Sequence, residues 1–217
     1  MTSPFDLVVF DCDGVLVDSE VLTVAVEARV LNELGWPMTE AEVVATWMGR
    51  SNAAQKAEVA ERLGGAVADE FEERVTAEVH AAFEAQLTEI DGISALLDEL
   101  ERAGVPTCVA SSGTHERIRL TLGLTGLLPR FEGRIFSATQ VEHGKPAPDL
   151  FLLAAAEMGV DPTRCAVIED STHGVAGTVS AGMAAYGYAG GLSDESELTA
   201  AGATTFDRMV DLVAALI

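Results

Sequence analysis

Apolar and polar positions alternate in two different rhythms along the chain, and the change of rhythm divides it. Leu7-Val8-Val9-Phe10 is a continuous apolar run bounded by Asp6 and Asp11, which predicts a strand buried on both faces. From residue 16 to about residue 88 the spacing is helical, with no convincing strand. Leu22, Val26, Val30 and Leu34 recur on one face before Gly35, Thr39 and Glu42 form a capping-box pair, and Ser51 can cap a third helix. A fourth, acidic helix is expected to begin after Asp69, its apolar stripe being Phe71, Val75, Val79 and Phe83.

After Asp91 helices and apolar strands alternate. Helices are expected over 93–103, 115–122 and 148–158, with a last one over 174–181, and strands over 106–110, 135–136, 165–168 and 184–188. Such alternation predicts a parallel sheet with helices on both faces. The strand at 7–10 should join that sheet, which makes the fold class α/β, a Rossmann-like core of residues 1–15 and 89–217 with residues 16–88 inserted as a helical cap.

Four polar segments follow predicted strands: Asp11-Cys12-Asp13, Ser111-Ser112-Gly113, Gly144-Lys145-Pro146 and Glu169-Asp170-Ser171. The carboxyl ends of parallel strands converge on one crevice, so segments remote in sequence become neighbours there. Asp11, Asp13, Glu169 and Asp170 would repel one another in that crevice unless a cation neutralised them. Mg²⁺ suits the set, because it favours one or two carboxylates together with waters and a phosphate oxygen. Lys145 is one of only two lysines in the chain, Lys56 being the other, and it adds a fixed positive charge. Ser111 and the turn after it offer a hydroxyl and N–H groups to an anion. Together these groups describe phosphoryl transfer.

Asp11-x-Asp13-Gly14-Val15-Leu16-Val17-Asp18-Ser19-Glu20, Ser111, Lys145-Pro146-x-Pro148 and Glu169-Asp170-Ser171, in this order and with a helical block after the first, resemble the haloacid dehalogenase superfamily. The match is to its β-phosphoglucomutase-like phosphatase branch, subfamily I with a helical C1-type cap. The resemblance implies that Asp11 is the nucleophile and Asp13 the general acid and base. It implies that Ser111, Ser112 and Lys145 bind the phosphate, and that Asp11, Asp13 (through its backbone carbonyl), Glu169 and Asp170 hold Mg²⁺. Substrate choice would lie in the cap, where Arg50 of Trp47-Met48-Gly49-Arg50-Ser51 reaches the substrate. Sugar phosphomutases of this branch carry a histidine shortly after the first motif; this chain has Thr23, which favours hydrolysis over a mutase reaction. A dehalogenase would need neither Asp13 nor Asp170. A non-catalytic metabolite-binding protein is the remaining alternative.

Composition narrows the partners. Across 217 residues, 13 Lys and Arg face 35 Asp and Glu, a formal charge of −22 that repels phosphate backbones and anionic lipids, so neither nucleic acid nor a membrane is expected. The expected partner is a small phosphorylated metabolite, a sugar phosphate or sugar-acid phosphate, bound by a monomer. Cys12, Cys108 and Cys165 have no metal-ligand spacing and read as small buried residues in a reducing compartment. No signal-like or membrane-spanning stretch is evident, which points to the cytoplasm.

Overall fold

A computed structural model describes residues 3–48 and 52–217. The chain divides into two compact units, residues 1–18 with 88–217, and residues 19–87. The first unit carries strands β1 (Leu7–Phe10), β2 (Thr107–Ser111), β3 (Ile135–Ser137), β4 (Cys165–Glu169), β5 (Ala184–Tyr188) and β6 (Thr204–Phe206). Among the described residues these form one sheet in the order β3-β2-β1-β4-β5-β6, parallel throughout. That is the Rossmann-like arrangement, with the reversal of strand order at β1 and β4.

The helices of the second unit are α1 (Ser19–Glu33), α2 (Glu40–Trp47), α3 (Asn52–Leu63) and α4 (Gly65–Gln86). Those of the first are α5 (Ile93–Ala103), α6 (His115–Leu124), α7 (Leu128–Phe131), α8 (Asp149–Met158), α9 (Thr172–Ser180), α10 (Glu195–Ala201) and α11 (Val213–Leu216). Every residue of β1, β2 and β4 is buried, as continuous apolar runs require. Leu7 and Val9 pack in one cluster with Leu150, Phe151, Ala154 and Ala155 of α8. Phe10 points to the other face, where its ring meets Phe131 edge-on. The three cysteines are buried and free.

In the helical unit, Thr39 and Glu42 make the expected capping box at the start of α2. Trp47 is fully buried between Trp36 and Phe71, with ring centroids 5.8 and 5.6 Å away, and its indole N–H donates to Glu58 at 3.2 Å. Arg29, Glu33, Arg74 and Glu78 form a closed ring of ion pairs joining α1 to α4.

Three expectations need correction. Residues 16–18 and Thr88 belong to the first unit: Ile90 donates its N–H to Leu16 O at 3.1 Å and Asp18 donates to Thr88 O at 3.0 Å, so the two crossing segments are bonded to each other within that unit. Helix α4 starts at Gly65, a turn before Asp69, because buried Ala68 extends the Phe71 stripe backwards. The helix over 174–181 is not the last: α10, β6 and α11 follow it, and Leu198 of α10 closes a small core with Val175 and Ala185. The proposed cap at Ser51 lies outside the described residues. No helix among them is long and apolar enough to cross a membrane.

Candidate active site

Strand order alone brings the first and fourth motifs together. Phe10 is in register with Ile168, and the N–H of Asp11 donates to Ile168 O at 2.9 Å, so Asp11 leaves β1 level with Glu169 at the end of β4. Gly14 then reverses the backbone at φ +76°, and the N–H groups of Leu16 and Val17 return to Cys12 O. A second constraint fixes this glycine. A Cβ at position 14 would stand 2.0 Å from Oδ2 of Asp170, so a side chain here would strain the left-handed φ and push the Asp170 carboxylate aside.

Lys145 links the acids. Its ammonium donates to Oδ1 of Asp11 at 2.8 Å and to Oε1 of Glu169 at 2.5 Å, with the lysine side chain 5% exposed and those of the two acids 12% and 0%. Glu169 is anchored at its other oxygen, which accepts from the N–H of Ser171 at 3.0 Å and from its hydroxyl at 2.9 Å. Ser171 is also the N-cap of α9, accepting from Gly174 N–H at 3.0 Å, so it serves the helix and the acid together. Gly174 in turn leaves room for Glu169: a Cβ there would lie 1.9 Å from the carboxyl carbon.

Burial pushes the Asp11 carboxyl up to about 7, against the pull of Lys145, with the charges of Glu169 and Asp13 adding to the rise. Burial disfavours the Lys145 ammonium, but Asp11 and Glu169 outweigh it and hold Lys145 above the ordinary lysine value. One carboxylate oxygen each from Asp11, Glu169 and Asp170 lies within 4.8 Å of the others, and all three residues are buried. Three carboxylates facing one ammonium in a dry crevice leave uncompensated negative charge, and their donors are all hard oxygens. A small divalent cation such as Mg²⁺ fits that set.

Ser111 ends β2, 2% exposed, and its hydroxyl accepts from Gly113 N–H at 3.1 Å. Ser137, at the end of β3, donates its hydroxyl to Gly113 O at 2.6 Å and so pins the turn from the neighbouring strand. Ser112 is exposed on that turn. The carboxylate of Asp13 is not in the three-acid group; its Oδ1 accepts from Nη2 of Arg117 at 3.2 Å. Arg50 lies outside the described residues. Thr23 donates its hydroxyl to Ser19 O at 2.9 Å, within its own helix.

Arg117, Ser137 and Gly174 were not singled out in the sequence. One signal for Arg117 was available: it sits in the first turn of α6, whose N-cap Thr114 accepts from the Arg117 N–H, and a cation there opposes the helix dipole.

Residues 5–182 match the family model described as haloacid dehalogenase-like hydrolase. The chain is 32% identical over 182 residues to the 6-phosphogluconate phosphatase of Escherichia coli (strain K12), covering 83% of this chain and 81% of that one. It is 30% identical over 219 residues to the phosphorylated carbohydrates phosphatase of Thermotoga maritima, covering 96% of each. Among solved structures, a haloacid dehalogenase family hydrolase from Deinococcus radiodurans R1 with bound phosphate and sodium superposes with a TM-score of 0.83 at 32% identity, over 98% of this chain and 95% of that one. With its aspartates at the ends of β1 and β4 and this match over most of its length, the chain belongs to the haloacid dehalogenase-like hydrolases.

Proposed function

We propose that this hydrolase is a Mg²⁺-dependent phosphomonoesterase that cleaves a small phosphorylated carbohydrate or sugar acid through an aspartyl-phosphate on Asp11. That it is a phosphatase follows from its family and its named phosphatase relatives. The observation that carries the finer reading is the buried Asp11–Lys145–Glu169 chain beside Asp170, where β1 and β4 part.

In the first step an Asp11 carboxylate oxygen bonds to phosphorus as the ester P–O bond breaks, and Asp13 gives its proton to the departing alkoxide. In the second, Asp13 takes a proton from water, the water oxygen bonds to phosphorus, and Asp11 leaves as a carboxylate. Splitting the displacement in two lets one acid serve both halves. In this reading Lys145 offsets the charge of Asp11 toward an incoming dianion, while the Ser111 hydroxyl and its turn would bind phosphate oxygens. Held by Asp11 and Asp170 with Glu169 beside them, Mg²⁺ would supply the positive charge that stabilises the phosphoryl oxygens. Thr23, in place of the mutase histidine, supports water as the acceptor.

The test is phosphate release from a panel of sugar phosphates, sugar-acid phosphates, polyol phosphates and nucleotides, with Mg²⁺ or EDTA. Release that requires Mg²⁺, concentrates on one carbohydrate class and disappears in Asp11→Asn is the expected result. Full activity in Asp11→Asn, or in EDTA, would overturn the mechanism.

A further inference from the structure

We propose that Arg117 is a positioning residue for Asp13, holding its carboxyl in the orientation from which it protonates the leaving alkoxide. The inference rests on the phosphatase reading above and extends it to a residue outside the four motifs.

Four observations converge. The guanidinium donates to Oδ1 of Asp13 at 3.2 Å, across 104 residues of sequence. The arginine backbone is fixed, because its N–H donates to Thr114 Oγ1 at the N-cap of α6. The turn that launches α6 is itself pinned by Ser137 on Gly113 O and by Gly113 N–H on Ser111. Finally, a cation in a helix's first turn opposes the dipole, and the bond to Asp13 is a compensating interaction. This ion pair joins α6 to the Asp11–Asp13 motif. The Asp13 backbone is held in a bridge with Val17, and its side chain, 18% exposed, is turned by the charged bond from Arg117 Nη2 to Oδ1. General acid catalysis requires that restraint, since proton delivery depends on the carboxyl meeting the leaving oxygen as the P–O bond opens.

Leaving-group dependence separates this role from others. An alkyl phosphate expels an alkoxide that needs the Asp13 proton, whereas nitrophenolate departs from p-nitrophenyl phosphate without one. The experiment measures kcat and kcat/KM for wild type, Arg117→Ala and Arg117→Lys on the best carbohydrate phosphate from the panel and on p-nitrophenyl phosphate. Arg117→Ala is expected to lower kcat/KM about tenfold or more on the carbohydrate ester and less than about threefold on the nitrophenyl ester, with Arg117→Lys recovering part of the loss. Equal losses on both esters would assign Arg117 to folding of the phosphate turn and overturn the proposal. A raised KM on the carbohydrate ester at unchanged kcat would make it a substrate anchor, with the same consequence. Wild-type activity that survives while Arg117→Ala is unaffected sinks this inference alone; a wild type silent on both esters sinks the phosphatase reading and this inference with it.

Discussion

Lys145→Ala is the most exacting test of the site, because it removes the ammonium that bridges Asp11 and Glu169. At 2.8 Å to Asp11 and 2.5 Å to Glu169, and with an effective dielectric near 20, the contacts represent about 6 and about 7 kcal/mol of gross attraction, most of it offset by the desolvation of the three buried charges. What the variant feels is the uncompensated pair left behind, a penalty of about 3–5 kcal/mol for breaking a buried ion pair from one side. Proton uptake limits that figure. Asp11 already sits at about 7, and without Lys145 it moves higher, so near neutral pH it protonates instead of remaining a buried charge.

The sign of the pH dependence follows. A carboxyl whose folded value lies above its unfolded value binds more protons when folded, so stability falls as pH rises from the unfolded value near 4 toward the folded one near 7. In EDTA the variant should therefore lose more at pH 8 than at pH 5. A loss of about 3 kcal/mol in a chain of this size corresponds to roughly 6–12 °C in melting temperature. Differential scanning fluorimetry of wild type and Lys145→Ala in EDTA at both pH values reads it directly, and added Mg²⁺ should raise the variant's melting temperature more than that of wild type, since it faces more unbalanced charge. If the two proteins melt within about 2 °C of each other at pH 8, or if the gap widens at pH 5, the electrostatic account of the site is wrong.

Gly14→Ala combines a left-handed φ with a Cβ 2.0 Å from Asp170 Oδ2, so about 1–2 kcal/mol of backbone strain is joined by displacement of that acid. Phosphate release should collapse and the Mg²⁺ requirement shift to higher concentration; wild-type Mg²⁺ dependence would refute the close approach. Ser137→Ala removes the donor to Gly113 O, and the expected result is a severalfold rise in KM and in the inhibition constant of inorganic phosphate, read by steady-state kinetics. With −22 charges on the chain, an anionic substrate is repelled at long range. Raising ionic strength from about 0.01 to about 0.1 M at fixed Mg²⁺ shortens the screening length from about 30 to about 10 Å and should increase kcat/KM; a steep fall would contradict this.

Much of the fold was legible because its signals were local and strong. The apolar runs at 7–10 and 165–168 have no polar position to spend on solvent, so they read as central parallel strands, which they are. The C-terminal tail lacked that contrast. Strand β6 is three residues at the sheet's edge, Thr204 exposed and the next two only half-buried, and α10 buries Leu198 alone, so neither shows a period. Its one clear mark was Asp194, which caps α10 through the N–H groups of Ser196 and Glu197. The start of α4 was misread for a related reason: Asp69 resembles a cap, and only burial of Ala68 reveals that the stripe continues past it.

At the site, the identity of the chemical groups was legible but their pairing was not. Converging strand ends placed Asp11, Lys145, Glu169 and Asp170 in one crevice, yet nothing in their spacing says that Glu169 divides its oxygens between Lys145 and Ser171 while Asp170 lies against Gly14. That division has a consequence for metal binding. Glu169 enters the crevice bonded to Lys145 through one oxygen and to Ser171 through the other, whereas Asp170 turns its Oδ2 into the space beside Gly14 that a side chain there would fill. The two adjacent acids, alike in sequence, should therefore part in experiment: Asp170→Asn should weaken Mg²⁺ activation most, while Glu169→Gln should act chiefly through Lys145, lowering stability in EDTA and shifting the Mg²⁺ requirement less. Titrating Mg²⁺ activation of the two variants separates them. A larger shift for Glu169→Gln than for Asp170→Asn would mean that Glu169 exchanges its lysine for the metal, and that the hydrogen bonds at Ser171 do not hold it back.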